Sequence, residues 1–238
     1  MKLFELAFAC KLYGPFGDYD SSLEQFREII GSALDLGEPT HRRALFIWLR
    51  KWGCRQFAKS HEGIAGNTLL AWAENFLRAL PLPSIPLLSL SPTAIRNAAD
   101  AYDDLKDRRA SWQERKSGRC LVAFGPAGAA KTLFALRPNA LPPWGDPIRD
   151  RLGYDESAES YGRFLADAQC HLKEVLKEAR HFGITPDDLP AKLGRPRSSL
   201  AKLVDEYFWV TITNCCTPPR RSELRRWLTW AGGSPTLH

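Results

Sequence analysis

The sequence contains 238 residues, 44% hydrophobic and 25% charged, a composition typical of globular proteins that excludes a largely disordered chain. Its net charge of +6 favours an anionic partner, nucleic acid first. None of the six cysteines has the spacing of a metal or iron–sulfur site, and no apolar run approaches the roughly 18 residues of a membrane span. We therefore expect a cytoplasmic protein without a metal that does not bind a membrane.

The first part of the chain predicts three helices followed by a break. Apolar side chains recur with helical period over 21–37, 39–52 and 67–80. Four prolines in 81–92 are incompatible with a helix and indicate a stiff crossing between two lobes. The sequence thus predicts an N-terminal helical lobe, 1–90, that ends in this crossing.

The rest of the chain, 91–238, predicts a second helical lobe. A helix begins at Ser91-Pro92, and the charged run 103–116 is expected to form a solvated helix face. A long helix begins at Ser157, and shorter helices, one of them including 209–213, follow to the C-terminus. No segment shows convincing strand alternation, so the predicted fold class is all-α. The last helices can return to the first lobe.

The strongest functional signal is the stretch Leu121–Arg149, which has a glycine turn followed by an isolated acid, Asp146. One interpretation is a phosphate-binding P-loop, because Gly125 with Lys131-Thr132 nearly fits G-x-x-x-x-G-K-[ST]. Ala130, however, stands where the second glycine belongs. The sequence also lacks the alternating strands and helices of a parallel sheet, which disfavours this interpretation.

The other interpretation is a helix–hairpin–helix motif. It consists of a short helix Arg119–Phe124, a tight turn at Gly125–Gly128 and a second helix Ala127–Leu136. The glycines let the backbone approach a DNA phosphate, which the first N–H groups and the dipole of the second helix then hold. The residues expected to bind phosphate are Gly125, Pro126, Ala127, Gly128, Lys131 and Thr132. We expect no cofactor, although a structural monovalent cation can occupy such a hairpin.

With Asp146 included, the stretch resembles the helix–hairpin–helix superfamily of DNA glycosylases. In that family the hairpin is followed by a catalytic aspartate, an apolar residue and an arginine, here Phe124–Gly128 and then Asp146-Pro147-Ile148-Arg149. The segments RPNALPPWGDPIR and WGCR look most like one branch. It contains hypermodified-thymine pyrophosphorylase-like proteins of phages and a bacterial phage-defence glycosylase that removes glucosylated hydroxymethylcytosine. Ala123 departs from the pattern, standing where the first hairpin glycine usually is.

The resemblance implies a two-lobed glycosylase fold with Asp146 as the catalytic carboxylate. A carboxylate beneath the sugar stabilises the cation that forms when the base leaves, and can orient the attacking water. Ala127 stands at or near the lysine of lyase-competent members, so the resemblance implies attack by water, a monofunctional enzyme and an abasic product. The structural alternative for Asp146 is that it caps the segment 147–152. Lys131, the only nearby amine, is interpreted as a phosphate contact or a surface side chain.

A glycosylase must flip its target nucleotide out of the duplex, so a base pocket should face Asp146. The residues proposed as its walls are Tyr13, Phe16, Tyr19, Trp52, Arg55 and Trp144. The aromatic residues lie at helical spacing, so the alternative for each is a place in the core. Arg119, Arg149 and Arg151 are expected to contact the DNA backbone, with solvated surface as the alternative.

The sequence therefore predicts a monomeric, monofunctional DNA glycosylase that excises a modified base from double-stranded DNA, in defence against phages. Two alternatives stay open: a non-catalytic helix–hairpin–helix DNA-binding module, and a modified-thymine pyrophosphorylase on the same scaffold. A minor alternative is a helix-turn-helix over 185–208, although its turn is longer than that motif prefers.

Overall fold

A computed structural model describes residues 1–16, 19–115, 118–220, 222, 223 and 226, without the side chains of Phe16 and Arg115. Within this part of the chain the fold is mostly helical, with one two-stranded sheet. The helices are α1 (Leu3–Tyr13), α2 (Tyr19–Ile30), α3 (Pro39–Lys51), α4 (Glu62–Phe76), α5 (Pro92–Asp107), α6 (Gly125–Leu136), α7 (Asp146–Leu152), α8 (Ala158–Arg180), α9 (Leu189–Lys192) and α10 (Leu200–Phe208). Short 3₁₀ turns span Gly14–Phe16, Lys59–His61 and Leu87–Ser89.

Several helix starts are set by serine caps that the sequence predicts. Ser91, Ser157 and Ser199 each precede a helix, and each side-chain oxygen accepts a hydrogen bond from the backbone N–H three residues on. The segment Trp209–Thr213 continues α10 as a π-helical turn, so its β-branched residues do not form a strand. The helix expected near the C-terminus, 218–230, falls largely outside the described residues.

The predicted all-α class is confirmed at the coarse level, but the expectation that no segment forms a strand is wrong in one place. The charged run does not extend α5, because β1 (Arg109–Arg115) pairs antiparallel with β2 (Gly118–Ala123). The short helix expected over Arg119–Phe124 is therefore a strand. A β-hairpin instead of a helix leads into α6, so the predicted motif does not have its expected first helix.

The β-hairpin is attached to the N-terminal half of the chain. The Ser111 hydroxyl donates to the Gln56 carbonyl at 2.7 Å, and β1 packs against α4. At the end of β2, the Gln56 side-chain amide donates to the Phe124 carbonyl. These contacts fix the first turn of α6 against the loop that follows α3.

One large core of buried apolar side chains runs through both halves of the chain, from Leu23 to Phe208. α5 packs against α6 and α8, while α1 packs against α8 and α10. The C-terminal helices thus contact the N-terminal helix. The proline-rich crossing is held too, because the Gln169 amide donates to the carbonyls of Leu87 and Leu90 at 2.6 and 2.9 Å. Division into lobes 1–90 and 91–238 stays a prediction.

The helices in the described part of the chain were searched for membrane spans, and none has both the length and the apolar character to cross a bilayer.

Candidate functional site

A small cavity lies where α1, α6, α7 and α10 meet, with a volume of about 130 Å³. Its walls combine aromatic rings, prolines and a few polar groups. The lining residues are Tyr13, Tyr19, Trp52, Lys131, Pro143, Gly145, Pro147, Ile148, Asp205, Trp209 and Thr213. Gly145 and Pro147 flank Asp146 in sequence, so the aspartate lies at the edge of the cavity.

Asp146 is the first residue of α7, and a buried arginine holds its side chain. Arg149 Nη1 lies 3.1 Å from Asp146 Oδ1, one helical turn on. The Arg149 side chain is only 9% exposed, whereas that of Asp146 is 63% exposed. Gly145, not Asp146, occupies the N-cap position of α7, so the alternative role of Asp146 as the helix cap is wrong. The carboxylate is oriented and still accessible.

Arg149 is anchored by more than Asp146. Its Nη2 lies 3.2 Å from Glu156 Oε1 and its Nε lies 3.8 Å from Asp150 Oδ1. Its guanidinium lies 6.0 Å from the ring centroid of Trp144, within the range of a cation–π contact. The expectation that Arg149 contacts the DNA backbone is therefore wrong, because its side chain is buried and ion-paired. It positions Asp146 instead.

Lys131 is one of the residues that line the cavity, and its Nζ donates to the Trp52 carbonyl at 2.5 Å. Its charge and that of Asp146 act on the same thiol. Burial raises the pKa of Cys54, the Lys131 ammonium opposes that rise, and the Asp146 carboxylate adds to it. The cavity thus has an amine on one wall and a carboxylate at its edge. Lys131 was expected to contact a phosphate, but its ammonium donates to the Trp52 carbonyl instead.

Three of the six side chains predicted to form the base pocket line this cavity: Tyr13, Tyr19 and Trp52. Trp52 is shared with the core, since its ring stacks on Phe134 with centroids 6.0 Å apart and its Nε1 donates to Ser22 Oγ at 3.1 Å. Tyr13 and Tyr19 each meet Trp209 edge to face.

The other three predicted pocket residues do not line it. Trp144 is buried between Tyr161 and Phe164, with ring centroids 5.3 and 5.4 Å away. The expectation of a pocket wall is wrong for Trp144, because its ring is part of the aromatic core. Arg55 is exposed on the loop after α3 and lies outside the cavity lining. The side chain of Phe16 lies outside the described residues.

Beneath the aromatic rings lies a network of buried charges on α10. Lys202 Nζ donates to Asp205 Oδ2 at 2.6 Å and to the Tyr13 hydroxyl at 2.9 Å. The neighbouring Glu206 is fully buried and accepts from Arg195 Nη2 at 2.9 Å. Burial lowers the pKa of Lys202, but Asp205, Tyr13 and Glu206 together raise it above its ordinary value. The ammonium therefore stays charged, and Asp205 is the member of the network with a face in the cavity.

The glycine turn is the first turn of α6 and is more tightly packed than a free hairpin. Gly125 has a φ of +68°, which favours glycine where β2 turns into the helix. A Cβ on Gly128 would meet the Gln56 amide and the Phe57 ring. Thr132 is fully buried and its hydroxyl donates to the Gly128 carbonyl at 2.8 Å, so its expected contact with a phosphate is wrong.

Of the turn, Gly125, Pro126 and Ala127 stay half-buried, while Gly128 is buried against Phe57. The part of the predicted phosphate site open to a ligand is therefore the backbone of the first three residues of α6. Two of the arginines expected to contact DNA are exposed: Arg151 on α7, and Arg119 on β2, where it pairs with Glu114 at 2.9 Å.

Sequence reasoning missed Asp205 and Trp209 as cavity residues. Asp205 lies three residues after Lys202 on an amphipathic helix, a spacing that usually marks a solvated ion pair. The sequence offers no signal against that interpretation, because Lys202, Asp205 and Glu206 form a polar stripe at i, i+3 and i+4 between the apolar positions of α10. Trp209 follows the last turn of α10, in a segment treated only as packing.

Among the described residues, no group of three or more His, Cys, Asp or Glu side chains could hold a metal ion. Comparison with protein-family models, curated proteins and solved structures finds no match to this chain. A function for this chain is therefore inferred from the geometry of the cavity and from the family that its sequence resembles.

Proposed function

We propose that the protein is a DNA N-glycosylase that receives one flipped-out base in the cavity and cleaves its bond to deoxyribose. The observation that carries this proposal is the placement of Asp146, an accessible carboxylate held by a buried arginine at the edge of an aromatic-lined cavity. Cleavage develops positive charge on the sugar, and a carboxylate oriented before the reaction stabilises that charge. The aromatic rings of Tyr13, Tyr19 and Trp52 suit stacking on a base.

The cavity size supports a site for one base and not for a large cofactor. A volume of about 130 Å³ is below the roughly 300 Å³ at which pockets for drug-sized ligands begin. A large substituent on the base would therefore have to project out of the cavity. The sugar and the backbone would lie outside, toward Asp146.

DNA would lie across the surface next to this edge. The N–H groups of the first turn of α6 and the exposed Arg151 on α7 are the groups proposed to contact its phosphates. The net charge of +6 supports the same partner. That the substrate is a hypermodified base such as glucosylated hydroxymethylcytosine, and the setting defence against phages, is proposed from the sequence resemblance alone.

The experiment is to incubate the protein with phage DNAs of different base chemistry and to detect abasic sites together with free base. We expect both products from at least one modified DNA. DNA binding without base release would favour the non-catalytic binding module. Pyrophosphate transfer to a base that stays in the DNA, without an abasic site, would favour the pyrophosphorylase. If the protein neither binds any of these DNAs nor releases a base from them, the assignment to DNA is wrong.

A second candidate, a glycosylase that also cuts the strand, is favoured by Lys131 in the cavity. A neutral lysine amine can attack C1′ as the bond to the base breaks, and opening of the sugar ring then gives a Schiff base. We nevertheless expect water to be the nucleophile, because Lys131 Nζ is engaged by the Trp52 carbonyl at 2.5 Å.

Borohydride trapping distinguishes the two candidates, because it reduces a Schiff base to a stable protein–DNA crosslink. We expect the wild-type protein to release base without forming this crosslink. A crosslink that is lost in Lys131→Met and kept in Lys192→Met, a control lysine on α9, would instead establish the strand-cutting enzyme.

A further inference from the structure

We propose that Asp205 selects the substrate by accepting a hydrogen bond from an amino group on the Watson–Crick edge of the flipped base. This inference rests on the proposed function, since it assumes that a base enters the cavity. It assigns Asp205 as a specificity-determining residue, distinct from Asp146 at the cavity edge.

The position of Asp205 suits this role. It lines the cavity from α10 and is only 6% exposed. Its Oδ2 accepts from the fully buried Lys202 ammonium at 2.6 Å, which fixes the orientation of the carboxylate. A nearly buried, immobilised charge discriminates between ligands strongly, because an unmatched partner leaves it both desolvated and unpaired.

Tyr13 supplies the complementary donor beside it. Its hydroxyl accepts from Lys202 at 2.9 Å, so its own proton is available to an acceptor in the cavity. Burial raises the pKa of Tyr13, with the neighbouring Lys202 ammonium opposing, so the phenol keeps that proton. The carboxylate and the hydroxyl are bridged by a single ammonium and thus form one acceptor and one donor side by side.

This pair matches the edge of a 4-aminopyrimidine. There the amino group donates and the adjacent ring nitrogen accepts, which is the pattern that a carboxylate and a hydroxyl complement. In a uracil-type base, the carbonyl oxygen at position 4 would face the Asp205 carboxylate, and two hydrogen-bond acceptors would repel each other. The small cavity favours a single ring over a purine. The substrate class is therefore a cytosine-type base, with any substituent at position 5 directed out of the cavity.

The test uses two duplex oligonucleotides that differ only at this edge, one with 5-hydroxymethylcytosine and one with 5-hydroxymethyluracil, each at a mismatch that eases flipping. We expect kcat/KM to favour the cytosine form by roughly ten- to a hundredfold, the scale of one well-placed side chain–base pair. In Asp205→Asn the preference should fall to about threefold or less, because an amide can turn either its oxygen or its nitrogen toward the base.

Glu206→Gln is the matched control, since it disturbs the same charge network without lining the cavity. Both variants should lose some thermal stability, but Glu206→Gln should keep the wild-type preference. An unchanged preference in Asp205→Asn, or an equal loss in both variants, would overturn the assignment.

The affinity of Asp146→Asn for the two oligonucleotides, measured without turnover, separates this inference from the proposed function. In one outcome the wild type releases no base, and Asp146→Asn shows a binding preference that disappears in the Asp146→Asn, Asp205→Asn double variant. This outcome would support base reading by Asp205 and reject catalysis. Base release without any preference would support catalysis and reject the role of Asp205.

Discussion

Arg149 shows how a single residue can determine the geometry of the site. Its guanidinium lies between three carboxylates, of Asp146, Asp150 and Glu156, and is buried against Trp144. A guanidinium fixed in this way holds Asp146 in one orientation at the cavity edge through a charge-assisted hydrogen bond from Nη1. Arg149 is therefore a positioning residue that acts through Asp146.

Replacing Arg149 with Met should lower kcat by about a hundredfold, the cost of misplacing a reacting group by about an ångström. The affinity for DNA should change little, and Arg149→Lys should recover part of the rate. Arg151→Met, on the exposed side of the same helix, should instead leave kcat nearly unchanged, weaken DNA binding and raise KM. Single-turnover rates and binding isotherms measure the two effects, and equal behaviour of both variants would contradict the assigned roles.

At the residue scale, the sequence could identify groups whose role depends on local spacing. Tyr13, Tyr19 and Trp52 were predicted and do line one cavity, and the neighbours of Asp146, Gly145 and Pro147, line it too. The direction of a side chain was not predictable when it depends on packing between distant helices. Lys131 was expected as a phosphate contact or a surface side chain, but its Nζ donates to the carbonyl of Trp52, which follows α3.

At the element scale, the serine caps made helix starts predictable, whereas the glycines of α4 led to a predicted start that is too late. Gly63 and Gly66 favour a break in the sequence, and the predicted helix began only at 67. In the structure α4 begins at Glu62, because Gly66 packs closely against Arg42 and Phe46 of α3. The β-hairpin was not predicted because both faces of β2 are partly exposed, so apolar and polar residues alternate only weakly along the strand.

The start of α8 has a carboxylate whose effect on stability depends on pH. Hydrogen bonds with Ser157 and Ser160 lower the pKa of Asp155 from 3.8 to about 2. Because the folded pKa lies below the unfolded one, this carboxylate stabilises the fold above about pH 4, and the effect is lost as the pH falls toward about 2.

Asp155→Asn should therefore lower the free energy of unfolding near neutral pH and approach the wild type as the pH falls below about 2. Urea unfolding curves at a series of pH values give this difference directly. A gap between the two proteins that stays constant with pH would show that Asp155 acts through something other than its charge.

At the scale of the whole molecule, the helical character was predictable and the relation between the two halves was not. The proline-rich crossing indicated two lobes, yet buried side chains from Leu23 to Phe208 form one continuous core. Gln169 ties the crossing to α8, and α1 packs on α10. Such contacts join residues far apart in sequence and leave no periodic signal in either segment.

A continuous core predicts a single cooperative unfolding transition. Helix content followed by circular dichroism and tryptophan packing followed by fluorescence should give coincident thermal curves. Because Trp48, Trp52 and Trp72 come from the N-terminal half and Trp144 and Trp209 from the C-terminal half, independent lobes would instead give a fluorescence transition in two steps.

The most direct test of the central claim is the rate of base release by Asp146→Asn, compared with Asp150→Asn. Both aspartates lie on α7, both side chains are exposed, and both contact Arg149, but only Asp146 adjoins the cavity residues. We predict that Asp146→Asn lowers single-turnover release by at least about a hundredfold, the scale of losing one transition-state contact. DNA binding should persist, and Asp150→Asn should stay within a few-fold of the wild type. Base release by Asp146→Asn at the wild-type rate would contradict the account.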